Sequence, residues 1–272
     1  MKHSSLIESI KDIVMRLARI LLFCLFGFFA WGAPCTAADT AEDKKDTEEF
    51  FIGIGGSVST SPYKDYDTQW MPLPLVGYEG DYFYLRGLSA GVKFVNLEFL
   101  EVSAFAGYDS TSFDSSDTGD RRLKRLHNRY SSAVTGLEAR LLTPYGMLHT
   151  SGAVDVLGRS NGFKGDAGYK NSFEFGALEL VPAAGAYWSS SKYNDYYYGV
   201  SDKESRKSGL DDYDAGAGVS PYLGLTIDYS LTEQWEIFSH GEVVFLNRAV
   251  KDSPMVDQSN TRSLTFGVSY TF

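Results

Sequence analysis

The sequence predicts an all-β fold: a transmembrane, antiparallel, up-and-down β-barrel of about twelve strands behind an N-terminal signal peptide, with ten strands as the alternative count. Three observations predict it. Apolar residues alternate with small polar ones at period 2 from Phe50 to the C-terminus, with no convincing helical-period pattern. Aromatic residues and glycine are abundant, with 18 Tyr, 18 Phe and 27 Gly in 272 residues. An apolar run, Ile20 to Ala33, follows Arg16 and Arg19 near the N-terminus.

That run stops at Pro34, short of the roughly 20 apolar residues a membrane-spanning helix needs. Small residues at Cys35, Thr36, Ala37 and Ala38 follow it, so it reads as a signal peptide cleaved after Ala37, with Ala38 the alternative cut. Met15 is an alternative start to Met1, and Pro34 argues against a lipoprotein reading of Cys35. The expected organisation is a signal over 1–37, a flexible acidic periplasmic lead over 38–49 and the barrel over 50–272. Cleavage removes Cys24 and Cys35, the only two cysteines, so a mature chain without thiol, disulfide or thiolate metal site is expected; no other metal site and no cofactor are expected either. The signal carries four Lys+Arg and two Asp+Glu, which leaves 21 basic against 33 acidic residues, a formal charge of −12. Nucleic acid is excluded as an expected partner on that balance.

Candidate strands run, in order, over 50–60, 73–79, 82–86, 88–95, 97–109, 130–142, 145–158, 162–175, 178–191, 215–230, 235–247 and 262–272. The last is the plainest: Leu264, Phe266, Val268, Tyr270 and Phe272 alternate with Ser263, Thr265, Gly267, Ser269 and Thr271. Leu223, Leu225, Ile227 and Tyr229 alternate in the same way with Gly224, Thr226 and Asp228. A soluble β-sandwich alternates too, but three features favour lipid: small residues on the polar face, aromatics near strand ends and the export signal. Backbone groups in hydrocarbon must all be paired, so the strands must close into a barrel. The segment 82–86 is shorter than the 9 to 11 residues a spanning strand needs, which is the source of the ten-strand alternative. With both ends periplasmic, connections 61–72, 110–129, 192–214 and 248–261 are expected outside, and the short turns Val95-Asn96, Thr143 to Gly146 and Thr232 to Gln234 inside.

Glu138, Arg140, His149, Asp155, Asp228, Glu236, His240 and Glu242 fall on the lumen-facing positions, together with Lys164, Asp166 and Lys170. Such charges either pair across strands and fill a narrow barrel or line a path for small polar or cationic solutes. No G-x-S-x-G elbow, H-E-x-x-H helix, P-loop or CxxC pair occurs, and no catalytic residue or enzymatic activity is expected. Arg121, Arg122, Lys124, Arg125 and Arg129 form a basic run in an outward loop, read either as a solvated surface or as a contact for lipopolysaccharide phosphates.

The stretch Ser190 to Ser201, with Tyr193, Asn194, Asp195, Tyr196, Tyr197, Tyr198 and Gly199 at its centre, is followed by Ser208-Gly209-Leu210 and by Tyr213-Asp214-Ala215-Gly216-Ala217-Gly218. Together they closely resemble the signature of the MltA-interacting protein (MipA/OmpV) family. Gly53-x-Gly55, Pro72-Leu73-Pro74-Leu75 with Tyr78-Glu79, and the terminal Tyr270-Thr271-Phe272 extend the likeness over the mature chain, while 109–130 does not match the pattern. The resemblance implies an outer-membrane protein, in contact with membrane lipid, that links a lytic transglycosylase to a penicillin-binding protein without catalysing a reaction. The tyrosines suit either an interaction surface or the packing of girdle and loops. The sequence thus leaves three readings: a scaffold for murein enzymes, a narrow channel, and a surface-exposed adhesin or antigen.

Overall fold

The structure is a computed structural model describing residues 48–272; the signal and nearly all of the acidic lead lie outside the described residues. The strands are β1 (Glu49–Ser59), β2 (Gln69–Glu79), β3 (Phe83–Arg86), β4 (Ser89–Leu97), β5 (Leu100–Asp109), β6 (Ser132–Thr143), β7 (Gly146–Asp155), β8 (Phe163–Lys170), β9 (Phe173–Phe175), β10 (Leu178–Ser189), β11 (Gly218–Ser230), β12 (Trp235–Phe245) and β13 (Asn260–Thr271). Neighbours in sequence pair antiparallel, and β13 returns to pair with β1. The ladder on β10 continues in one register from β8 (Lys170 opposite Ala183) to β9 (Phe173 opposite Leu180), so these two act as one strand. The result is a closed twelve-stranded barrel.

Period-2 alternation sets which face meets lipid. On β11, Leu223, Leu225, Ile227 and Tyr229 are exposed on the outer wall, while Ser220, Tyr222, Thr226 and Asp228 are buried inside. Slipping the register by one residue would drive that polar set into hydrocarbon, so burial fixes the pairing. One expected turn moves: β4 and β5 join at Glu98-Phe99 rather than Val95-Asn96, because a bulge between Lys93 and Val95 adds a residue and lengthens β4.

The short strand β3 is part of the barrel, but it covers β2 only from Gly77 to Glu79. Above that level β2 still pairs with β1 up to Gln69, and its other edge carries no ladder among the described residues. Pro72 and Pro74, opposite Gly56 and Ile54, sit at the positions whose missing N–H faces that open edge. An open edge is one of the few places where a strand tolerates proline.

The chain termini and the turns after β2, β4, β6, β9 and β11 lie at one end of the barrel, and the four long connections at the other, where they fold into a cap. The cap contains a 3₁₀ turn (Leu123–Arg125) and the helices α1 (Ser191–Tyr198), α2 (Asp202–Ser208) and α3 (Arg248–Lys251). Its buried core takes Tyr63 from the first connection, Phe113, Leu123 and Leu126 from the second, Val200 from the third and Met255 from the last. Helices were not expected here, because elements this short show no periodicity. They are built from their ends instead. The Ser190 side chain caps α1 by accepting from the Tyr193 N–H, Glu204 of α2 accepts from the Ser201 N–H at 3.2 Å, and Gly209 ends α2 with φ 77°. The first and last connections meet over the seam between β1 and β13: Tyr63 bridges Val256 and Lys64 Nζ donates to the Pro254 carbonyl at 2.8 Å, while Tyr63 Oη reaches the third connection, donating to the Tyr197 carbonyl at 3.1 Å.

Candidate functional site

Three groups of side chains occupy the lumen. In the first, Arg86, projecting inward from β3, donates to Glu79 at 2.7 and 2.8 Å, to Glu138 at 3.0 Å and to Glu101 at 3.2 Å. Lys93 pairs with Glu79 and, at 3.2 Å, with Glu101; Arg140 approaches Glu138 at 3.6 Å; and Tyr84 Oη donates to Glu138 at 2.8 Å. Three cations thus face three carboxylates, with the charge-assisted bonds that buried ions require. Sequence reasoning picked out Glu138 and Arg140 but missed Arg86, Lys93, Glu79 and Glu101. The available signal was the alternation of Tyr84 and Arg86 with Phe83 and Leu85 in a segment treated as too short to span.

The second group crosses the barrel from β7 to β12. His149 Nε2 lies 2.8 Å from Asp166 Oδ2 and 3.1 Å from Tyr222 Oη; Tyr222 stacks on Tyr187 with centroids 4.4 Å apart; and Tyr187 Oη donates to Glu242 at 2.7 Å. Gly168 and Gly185 make room for the Tyr222 ring, since a Cβ on either would lie 2.3 Å from its hydroxyl oxygen. His240 Nδ1 is 2.9 Å from the Thr226 hydroxyl. Toward the termini end lies the third group, containing Asp228 and Glu236 with Glu179. Asp155 stands apart from all three. At the cap-end rim its carboxylate accepts from Ser132 Oγ and from the N–H groups of Leu157, Ser160 and Asn161, and so builds the β7–β8 turn. No three His, Cys, Asp or Glu side chains converge as metal ligands among the described residues.

In the cap, Tyr193, Asn194 and Tyr197 are buried and act as fasteners. Tyr193 Oη donates to Asp109 at 3.1 Å, Asn194 donates to the Gly216 carbonyl at 2.7 Å, and Tyr197 Oη donates to the Tyr130 carbonyl at 3.2 Å. Tyr196 Oη accepts from the Tyr130 N–H at 3.0 Å, Asp195 accepts from the Ala215 N–H, and Tyr198 packs on Tyr63. Gly199 ends α1, its carbonyl accepting from Arg129 at 3.3 Å. Loop packing accounts for these residues, leaving exposed Asp195 and half-buried Tyr196 as their outer surface. Tyr270 and Phe272 stack edge-on at the opposite rim, with Trp235 against Tyr270.

The basic run divides. Arg121, Arg122, Lys124 and Arg125 are exposed, and packing of the 3₁₀ turn against α2 sets them beside Lys203, Arg206 and Lys207, a patch assembled from two segments. Arg129 does not belong to it, contrary to expectation. It is buried and pairs with Glu204 at 2.9 Å, because the apolar residues Leu123 and Leu126 turn this segment's inner side into the cap core. Burial by itself would raise the Glu204 carboxyl, but Arg129, the His127 N–H and Ser201 outweigh it and hold it below its ordinary value. An open cleft of about 240 Å³ lies beside this pair, lined by His127, Asp195, Tyr196 and Asp214 among others.

A family model described as "MltA-interacting protein MipA" matches residues 52–272. The chain is 38% identical to the MltA-interacting protein of Escherichia coli over 224 residues, covering 82% of this chain and 90% of that one. It is 30% identical to the outer membrane protein OmpV of Vibrio cholerae over 229 residues, covering 80% and 85%. Among solved structures, the translocator domain of the autotransporter NalP from Neisseria meningitidis aligns with a TM-score of 0.45 at 11% identity, covering 85% of this chain and 90% of that one. The relatives carry the names of interacting or outer-membrane proteins, and the strands close into a barrel whose lipid face is apolar, so this is an outer-membrane protein. The chain belongs to the MltA-interacting protein MipA family.

Proposed function

We propose that this barrel is a non-enzymatic scaffold at the inner side of the outer membrane, holding a murein-cleaving lytic transglycosylase near a murein-building penicillin-binding protein. The observation that carries the reading is the 38% identity to a protein named for its interaction with MltA. Two structural features support it. Ion pairs and stacked tyrosines fill the lumen, which suits a platform better than a conduit. The partners are periplasmic, and the turns at the termini end present exposed aromatics, with Tyr145 81% and Tyr82 70% exposed. Aromatic side chains of this kind give contact area at low entropic cost. The Tyr193 to Tyr198 helix lies at the opposite end, so the docking face consists of the short turns and the acidic lead.

The test is cross-linking in intact cells, purification of the tagged barrel and mass spectrometry of the co-isolated proteins, with an unrelated barrel as control. Specific recovery of a lytic transglycosylase or a penicillin-binding protein, cross-linked through the short turns or the lead, is expected. Recovery of neither, or cross-links confined to the cap, refutes the reading.

A further inference from the structure

The periplasmic mouth of the lumen carries a row of four acids on neighbouring strands. Glu174 on β9 stands directly opposite Glu179 on β10, and Glu179 stands directly opposite Asp228 on β11. Glu236 on β12 lies diagonally next to Asp228, two residues from its partner Phe238. These positions share the inward face, since Phe173, Phe175, Ile227, Tyr229, Trp235 and Ile237 around them are the exposed outer residues. Like charges directly opposite in a sheet are destabilising. In the first lumenal group evolution has met that cost with Arg86, Lys93 and Arg140, whereas Lys170 is the basic side chain bearing on Asp228 here, with His240 farther along β12. Ser172 Oγ satisfies one oxygen of Glu179 at 2.5 Å.

Asp228 gives the independent sign of a ligand. It is 4% exposed, and its Oδ2 has no hydrogen-bond partner among the described residues. A buried carboxylate oxygen without a donor costs a large part of its solvation free energy, and native structures normally provide a partner. We infer that the row Glu174, Glu179, Asp228 and Glu236 is a binding site for an extended aliphatic polyamine entering from the periplasm. A single metal ion does not fit, because the carboxylates do not converge on one point. They recur instead at the strand spacing of about 4.8 Å. Ammonium groups joined by a few methylenes recur at a similar interval, roughly 5 Å from standard bond lengths. An ammonium donates to acceptors in several directions, which is what Asp228 Oδ2 and its neighbours lack. The cap closes the far end of the lumen, so this site is reached from the periplasmic side and its existence does not depend on the scaffold role.

Spermidine is the probe, titrated calorimetrically into the full-length mature barrel in detergent at moderate salt, with magnesium chloride as the competing cation. Saturable binding that survives millimolar magnesium, and weakens at least tenfold in the Glu179→Gln/Asp228→Asn variant, is the expected result. Equal affinity in wild type and variant, or displacement by magnesium at matched charge, overturns the proposal. A second measurement avoids any folding defect in the variant: carbodiimide activation of the wild-type barrel in the presence of spermidine forms an amide between an activated carboxyl and a bound amine. Peptide mapping that finds the adduct on Glu179, Asp228 or Glu236 supports the site. Adducts confined to carboxylates on the cap overturn it.

Discussion

Glu204→Ala is the most informative single change in the cap, because it removes the partner of a buried guanidinium. Arg129 and Glu204 are 9% and 5% exposed at their side chains and 2.9 Å apart, and Glu204 also accepts from the His127 N–H at 3.1 Å. Breaking a buried pair by deleting one partner costs ~3–5 kcal/mol, because the remaining charge is left uncompensated. At ~1.4 kcal/mol per tenfold, the lower figure raises the open population of the cap by about a hundredfold. Amide exchange followed by mass spectrometry reads this directly, since exchange tracks local opening. Cap segments 110–131 and 190–217 are expected to exchange about a hundredfold faster, while the strand segments are unchanged. An Arg129→Met/Glu204→Leu variant recovers part of the protection, because it leaves no uncompensated charge, although the His127 and Ser201 N–H groups lose their acceptor. Acid should act on the same pair. A carboxyl held below its ordinary value stabilises the cap above that value, near pH ~4.3, and its contribution is lost as pH falls through the folded-state value. Wild-type cap exchange should therefore accelerate between pH ~5 and ~3 more than that of the double variant. Exchange in Glu204→Ala within about threefold of wild type, or a double variant no better than the single, would refute the reasoning.

Other changes test the lumen and the outer surface. Arg86→Ala leaves Glu79, Glu101 and Glu138 in excess over Lys93 and Arg140 and water filling the gap, so single-barrel conductance in planar bilayers should rise from near baseline to discrete, cation-favouring steps. Gly185→Val forces a side chain into the Tyr222 ring, and overpacking of ~1–3 kcal/mol should lower the temperature at which gel mobility shifts on heating. Replacing Arg121, Arg122, Lys124 and Arg125 with serine should reduce lipopolysaccharide co-purification severalfold, whereas Arg129→Lys, buried in the cap, should not.

The barrel was legible because its physics is local. A strand with lipid on one side and a crowded lumen on the other must alternate, and Leu223 to Tyr229 or Leu264 to Phe272 show this within a few residues. The cap was not legible, because its core is assembled from single residues such as Tyr63, Phe113, Val200 and Met255, spread over nearly two hundred positions with no shared period. Its local signals were readable only as caps: Ser201 followed by Glu204, and Gly209 at the end of α2. The lumenal charges fall between these cases. Alternation indicates that Glu138 and Arg140 face inward, but the partner that joins them, Arg86, comes from a strand of four residues. The basic run misled at Arg129 because a charged residue within hydrophilic sequence reads as solvated until Glu204, 75 residues away, is brought to it.

The meeting of the first and last connections over the β1–β13 seam ties the order of assembly to the finished surface. Tyr63 and Val256 are nearly two hundred residues apart, and the loop entropy of bringing them together is offset only once every intervening strand is in place. The cap therefore forms after closure of the wall and fastens the seam from above. An antibody directed at the outer surface that this packing presents, at Asp195 and Tyr196, would recognise completed barrels and pass over chains stalled during insertion.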